Sequence, residues 1–220
     1  MKIAVMQPYF CPYFGYFQLV NAVDLFVFYD DVTFIKGGWV NRNYIYSNGK
    51  KQRFTIPVKG HSSSRLIKDT EVDWSQNKIK KFIKTLHQSY GNSPYKQEVL
   101  PMIEDLIKQQ PGTISELAIE SVKRICDFLG IKTRFKISSQ ENYVKTDDKT
   151  QNLIRICQRE NANHYINPVG GTSLYSKKEF AEHGIQLNFI DTLNGASVID
   201  ELMRWSTEEI NKKLDRYQLV

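Results

Sequence analysis

The chain has 220 residues, 41% hydrophobic and 12% aromatic, enough for one sizeable α/β core. No apolar run approaches the ~20 residues of a membrane span, and Cys11, Cys126 and Cys157 are too scattered for a zinc site or a disulfide framework. The net charge of +6 is unevenly spread: eight Lys/Arg and no Asp or Glu fall between Lys36 and Lys68, a local field that attracts anions.

The chain opens on an apolar run, Lys2–Met6, without alternation, the pattern of a strand covered on both faces. A strand this early, with no basic region and long apolar segment before it, is not a signal peptide, and a cytoplasmic, reducing location is expected. Pro12 and Gly15 lead into a helix over Tyr16–Val23, and a second buried strand follows at Leu25–Tyr29. Val40–Tyr46 and Gln52–Lys59 flank Ser47-Asn48-Gly49 and predict a hairpin. Gly60–Ser64 reads as a polar loop, and Leu66–Val72 as a further short strand.

Helices dominate the middle. Asp73 or Ser75 caps one that runs to Ser89, and Tyr95–Gln109 forms the next, with Pro101 a kink or boundary. Thr113 and Glu116 make a capping box for Ile114–Leu129, which Gly130 closes. Alternation then resumes. Strands are expected at Thr133–Ile137, His164–Pro168 and Ile185–Ile190, and helices at Lys149–Asn161, Ser176–His183, Ser197–Trp205 and Thr207–Tyr217. The order implies a Rossmann-like, mostly parallel sheet in one α/β domain over 1–220, with a β insertion over 36–72 and a helical segment over 73–130.

In such sheets ligands sit outside the carboxyl ends of the strands. Gln7-Pro8-Tyr9, Asp30-Asp31 and Val169–Ser173 all fall at such ends, so the first loop and the Val169–Ser173 loop are expected to face one crevice. Asp30 or Asp31 would serve as general base, and the alternation of a strand points one of them at the ligand. In Lys36-Gly37-Gly38-Trp39 the glycines let main-chain N–H groups approach an anion. Arg42 can hold a phosphate bidentately, Trp39 can stack, and Asn41 and Asn43 can read hydroxyl or amide groups. Among four scattered histidines only His61, in the polar loop, is a candidate base, and no pair has metal-ligand spacing. Cys11 is a filler before it is a nucleophile.

The first loop resembles that of nucleotidyltransferases of the HxGH type, with Tyr13-Phe14-Gly15-Tyr16 at the motif's position. Both histidines are tyrosines, which donate a hydrogen bond but bring no positive charge. Tyr13 and Tyr16 are therefore expected to line a ligand rather than carry adenylyl transfer.

A longer set of residues resembles the WbqC-like family. It comprises Gln7-Pro8-Tyr9-Phe10, Pro12-Tyr13, Gly15-Tyr16-Phe17, Tyr29-Asp30-Asp31-Val32, Phe34 to Trp39 and Asn41-Arg42-Asn43. Tyr165-Ile166, the Ser173/Tyr175 pair, Phe180, Gly184-Ile185 and Asp200 fit the family's later half. Cys11 stands where the family has a large apolar residue, which argues against an essential thiol. The resemblance implies a cytosolic transferase of bacterial O-antigen and surface polysaccharide biosynthesis, acting on a nucleotide-linked amino sugar by N-acyl or aminoacyl transfer. It implies no bound cofactor, and an acyl thioester or an acyl or aminoacyl carrier protein as donor. The alternatives are a non-catalytic nucleotide-sugar-binding module, or a nucleotidyltransferase or ATP-dependent ligase with a degenerate HxGH-like motif. Nucleic acid is the least expected partner, because the basic residues lie on no recognition helix.

Overall fold

The computed structural model describes residues 1–60, 64–75 and 77–220. Strand β1 (Lys2–Met6) leads through the first loop into α1 (Phe14–Asn21) and then β2 (Leu25–Phe28). The hairpin β3 (Arg42–Ser47) and β4 (Lys50–Thr55) forms a separate two-stranded sheet. Helices α2 (Asn77–Tyr90), α3 (Lys96–Lys108) and α4 (Ile114–Leu129) precede β5 (Arg134–Ile137). Then come α5 (Lys149–Arg159), β6 (His164–Pro168), α6 (Lys177–Glu182), β7 (Gln186–Asp191), α7 (Ile199–Arg204), α8 (Thr207–Leu214) and β8 (Gln218–Leu219).

The main sheet has the order β5-β2-β1-β6-β7-β8, and only β8 runs antiparallel to its neighbour. Numbered along the chain, the five parallel strands follow the doubly wound order 3-2-1-4-5. Both faces are covered, which is why β1 and β2 read as continuous apolar runs. Ala4, Phe26, Phe28 and Ile166 pack on one face with α1, α4 and α8, while Ile3, Val5, Leu25 and Val27 pack on the other with α5 and α6. Among the described residues no helix is long and apolar enough to cross a membrane.

Local chemistry set several boundaries as expected. Thr113 and Glu116 form the capping box of α4, and Gly130 ends it at φ 74°. The Asp73 carboxylate accepts from the Ser75 N–H and hydroxyl just before α2. Other expectations fail for stated reasons. Leu66–Val72 is no strand: it forms isolated bridges, Thr33 to Leu66, Val58 to Val72 and Glu71 to Thr113, around a 3-10 turn at Ile67–Asp69. The return strand of the hairpin stops at Thr55 rather than Lys59, since Pro57 cannot donate to a ladder. Pro101 sits inside α3 without ending it. The last strand, β8, was not expected; two residues carry too little pattern to be read.

Candidate functional site

The switch point of the sheet lies between β1 and β6. These strands pair only at Lys2 with His164 and Ile3 with Tyr165, whereas β1 stays paired with β2 as far as Met6 with Phe28. Beyond Ile3 and Tyr165 the two strands have no ladder, and a cavity of about 660 Å³ opens at their carboxyl ends. Gln7 and Tyr9 line it from β1, Tyr29 and Asp31 from β2, Asn167, Gly170 and Gly171 from β6, and Lys145, Asn152 and Tyr175 from the α5–α6 side.

The chemistry of the cavity centres on Asp31. Lys145 Nζ forms an ion pair with its carboxylate and donates to its main-chain oxygen at 3.0 Å. The same ammonium lies 4.3 Å from the Tyr29 ring centroid, a cation–π contact. Burial, with the negative charge of Asp31 and the neighbouring Tyr175, pushes the Tyr29 phenol up to about 12. Tyr29 therefore stays protonated at neutral pH and presents a donor, not a base. Deeper in the wall, the buried Tyr165 hydroxyl donates to Asn167 Oδ1 at 3.1 Å. Gly171 is fixed by that amide: a Cβ there would sit 1.9 Å from Asn167 Nδ2. Tyr175 completes the wall, its phenol also raised by burial.

Asp30 points to the other side of β2. Its Oδ1 accepts from the Ser138 hydroxyl at 3.1 Å and the Ser139 N–H at 3.0 Å. Its Oδ2 accepts from the Ser115 hydroxyl at 3.1 Å and the Ser139 hydroxyl at 2.8 Å. With four donors on a carboxylate only 3% exposed, Asp30 ties β2 to α4 and to the end of β5. A separate cavity of about 460 Å³ lies on this side, between α4 and the Ser139-Gln140 segment. The Ser138 hydroxyl is in reach of both Asp30 and Asp31, and its single proton serves one at a time. The strand alternation thus separates the adjacent carboxylates: Asp31 lines the crevice and Asp30 does not.

The first loop divides in the same way. Gln7 and Tyr9 line the crevice, but Tyr16 is enclosed, its hydroxyl donating to the Gln7 main-chain oxygen at 2.9 Å and its ring packed on Phe26. Tyr13 faces Ser197 and Thr192 instead of the cavity. The N-terminus of α1 is covered: the Gly15 N–H donates to Leu193 O at 3.0 Å, and a Cβ at Gly15 would lie 2.3 Å from Thr192 Oγ1. Glycine is required here by the 192–193 segment, not by a phosphate. Cys11, fully buried with φ 43°, has its thiol pushed far up by burial and is no nucleophile.

In the loop before the hairpin, Val32, Thr33 and Ile35 line the cavity, whereas Lys36 to Asn41 lie outside it. A tight turn, Gly38 N–H to Ile35 O at 2.9 Å with Gly37 at φ 77°, carries Lys36 into solvent. Trp39 is half exposed, with Arg42 Cζ 5.7 Å from its ring centroid. Asn41 and Asn43 are buried and serve the backbone, donating to Ile56 O at 2.7 Å and Cys11 O at 3.0 Å. Ser173 is exposed and off the cavity wall, and His61 lies outside the described residues. Of the residues expected to form the site, the crevice therefore gathers Gln7, Tyr9, Asp31 and Tyr175. It adds Tyr29, Lys145, Asn152 and Asn167. Lys145 had no local signal, being one lysine in a polar stretch. Among the described residues no three His, Cys, Asp or Glu side chains converge as metal ligands would.

Fold and crevice together define a doubly wound α/β protein with an open crevice at the topological switch point, where such folds bind ligands. The chain belongs to the WbqC-like protein family, which it matches over residues 7–212. It is 30% identical over 193 residues to the uncharacterized protein Rv1507c of Mycobacterium tuberculosis (strain ATCC 25618 / H37Rv), covering 86% of this chain and 82% of that protein. No solved structure matches it.

Proposed function

We propose that the protein is a cytoplasmic transferase that places an acyl or aminoacyl group on the amine of a nucleotide-linked amino sugar, a step of bacterial surface polysaccharide biosynthesis. The observation that carries this reading is the crevice between β1 and β6, walled by Asp31, Lys145 and four tyrosines. It has the size of a small-molecule site and mixes two carboxylates (Asp31, Asp147), two ammonium groups (Lys145, Lys149), amides and phenols over apolar walls. A carboxylate at the end of β2 is placed as the ribose-binding acid of doubly wound folds is.

In the reaction, the Asp31 carboxylate takes a proton from the sugar ammonium, and the free amine attacks the carbonyl carbon of an activated donor, a thioester or ester. The carbon–nitrogen bond forms, the bond to the donor sulfur or oxygen breaks, and the leaving group departs with a proton. Lys145 and the protonated Tyr29 phenol supply positive charge and a donor to the developing oxyanion or to a phosphate. Asp30, saturated by serine donors, is not available as the base. Lys36, the Gly37-Gly38 turn, Trp39 and Arg42 stand beyond Ile35, where the nucleotide end would emerge from the crevice.

Thermal-shift and calorimetric binding with UDP-linked amino sugars, compared with free nucleotide and free sugar, tests the ligand. Mass analysis with acyl thioester donors tests the transfer. Asp31→Asn is expected to keep binding within about threefold and lose turnover at least about a hundredfold. If no nucleotide sugar binds, the reading fails.

A second reading has its own observation. Asp31 is already neutralised by Lys145, which suits a binding module with no free base. Binding of a nucleotide sugar without product from any donor would establish it. Nucleotidyl transfer finds no support here, since the helix end that would hold its phosphate is covered by Leu193.

A further inference from the structure

The outer face of the β3–β4 hairpin is not part of the crevice. Successive residues of a strand point to opposite faces, and here Asn43, Ile45 and Phe54 are buried, Ile45 and Phe54 beside Phe82 of α2. The opposite face carries Arg42, Tyr44 and Tyr46 on β3, set against Arg53 and Lys51 on β4 through the pairs Tyr44 with Arg53 and Tyr46 with Lys51. Cations and rings are interleaved. Lys51 Nζ lies 5.8 Å from the Tyr44 ring centroid, and Trp39 lies 5.9 Å from Tyr44. Along the edge of β4 a groove of about 320 Å³ continues this surface, floored by Ile45, Phe54 and Phe82 and rimmed by Arg53, Lys78 and Lys81.

No Asp or Glu occurs in β3, β4 or α2. Among the described residues Arg42, Lys51, Arg53, Lys78 and Lys81 form no ion pair. The carboxylate beneath the strand, Asp200, is buried and accepts the Tyr46 N–H from below. A cluster of uncompensated cations repels itself and weakens the fold, so it calls for an external anion. The rings narrow the class. Acidic side chains would need the cations alone, whereas the exposed Trp39 and the partly exposed Tyr44, set between cations, offer unpaired bases a stacking surface.

We infer that this hairpin face and its basic groove bind single-stranded nucleic acid, the phosphates on Arg42, Lys51, Arg53 and the α2 lysines, the bases on Trp39 and Tyr44. A β-face reads single strands without a recognition helix.

The test is fluorescence anisotropy on the whole chain with labelled oligo(U) and oligo(dT) of about 12 nucleotides. A duplex of the same length and a polyglutamate of equal charge serve as comparisons. Neutralising about four phosphates predicts an affinity loss of about 50-fold between roughly 50 and 200 mM salt. Lys51→Ala/Arg53→Ala should weaken binding at least about tenfold, and Tyr44→Leu at least about fivefold, with the melting temperature of the double alanine variant not lowered. Tighter binding of one oligonucleotide than the other assigns the surface to RNA or to DNA. The inference is overturned if neither oligonucleotide binds at low salt, if the duplex or polyglutamate binds as tightly, or if Tyr44→Leu has no effect.

Discussion

Asp30 and Asp31 are neighbours at the end of β2 and have opposite surroundings. On one side of the strand four neutral donors enclose a carboxylate that forms no ion pair among the described residues; on the other a lysine holds a carboxylate at the wall of a cavity. The Asp30 side is a fastening between β2, α4 and the residues after β5. The Asp31 side is partly open, and its partner ammonium can be shared with a ligand. Two identical side chains one residue apart thus differ in role because alternation sends them to different faces.

This contrast breaks most readily at Asp30. Asp30→Ala would strand the Ser115 and Ser139 donors in the interior, and the expected loss is about 3–4 kcal/mol in chemical denaturation. A loss below about 1 kcal/mol would remove the distinction between the two carboxylates. On the crevice side Gly171→Ala drives a Cβ into the Asn167 amide, with an expected cost of about 1–3 kcal/mol and weaker nucleotide-sugar binding. Unchanged stability and binding would mean that the Asn167 wall yields freely.

A second buried carboxylate sharpens the comparison through pH. Asp200 accepts from the Tyr90 hydroxyl at 2.5 Å and the Tyr46 N–H at 3.2 Å, yet burial still lifts its pKa above the usual carboxylate value. A raised folded-state pKa means that the native protein binds the proton more tightly than the unfolded chain. The contribution of Asp200 is therefore full below the unfolded value and is lost as pH rises through the folded one. Stability of the native chain relative to Asp200→Asn should decline with rising pH over that window, measured by denaturation at several pH values. A rise instead would show that the Tyr90 and Tyr46 hydrogen bonds outweigh burial.

The smallest stability effects are expected on the open side. Lys145→Met and Asp31→Asn should each cost under about 1 kcal/mol, because the pair is partly exposed. The same Lys145→Met change should weaken nucleotide-sugar binding at least about tenfold, the value of one charge-assisted contact. A large stability loss with intact binding would make the Asp31–Lys145 pair a second fastening.

Much of this was legible along the chain. Unbroken apolar runs marked β1 and β2 as strands covered on both faces. Thr113, Glu116 and Gly130 fixed the ends of α4, and the strand ends pointed to Gln7, Tyr9 and the Asp30-Asp31 pair. These features rest on local rules, the period of a strand and the needs of a helix terminus, so residues adjacent in sequence suffice to read them. Tertiary structure alone decided the rest. It fixed which carboxylate meets the crevice, since that depends on Ser115 and Ser138, some 85 and 108 residues from Asp30. It brought Lys145 to Asp31 across 114 positions, and laid Leu193 over the helix start that looked ready for a phosphate. Each of these turns on what packs against a group from a distant part of the chain, and hydrogen-bond donors and desolvation act through space, not along the sequence.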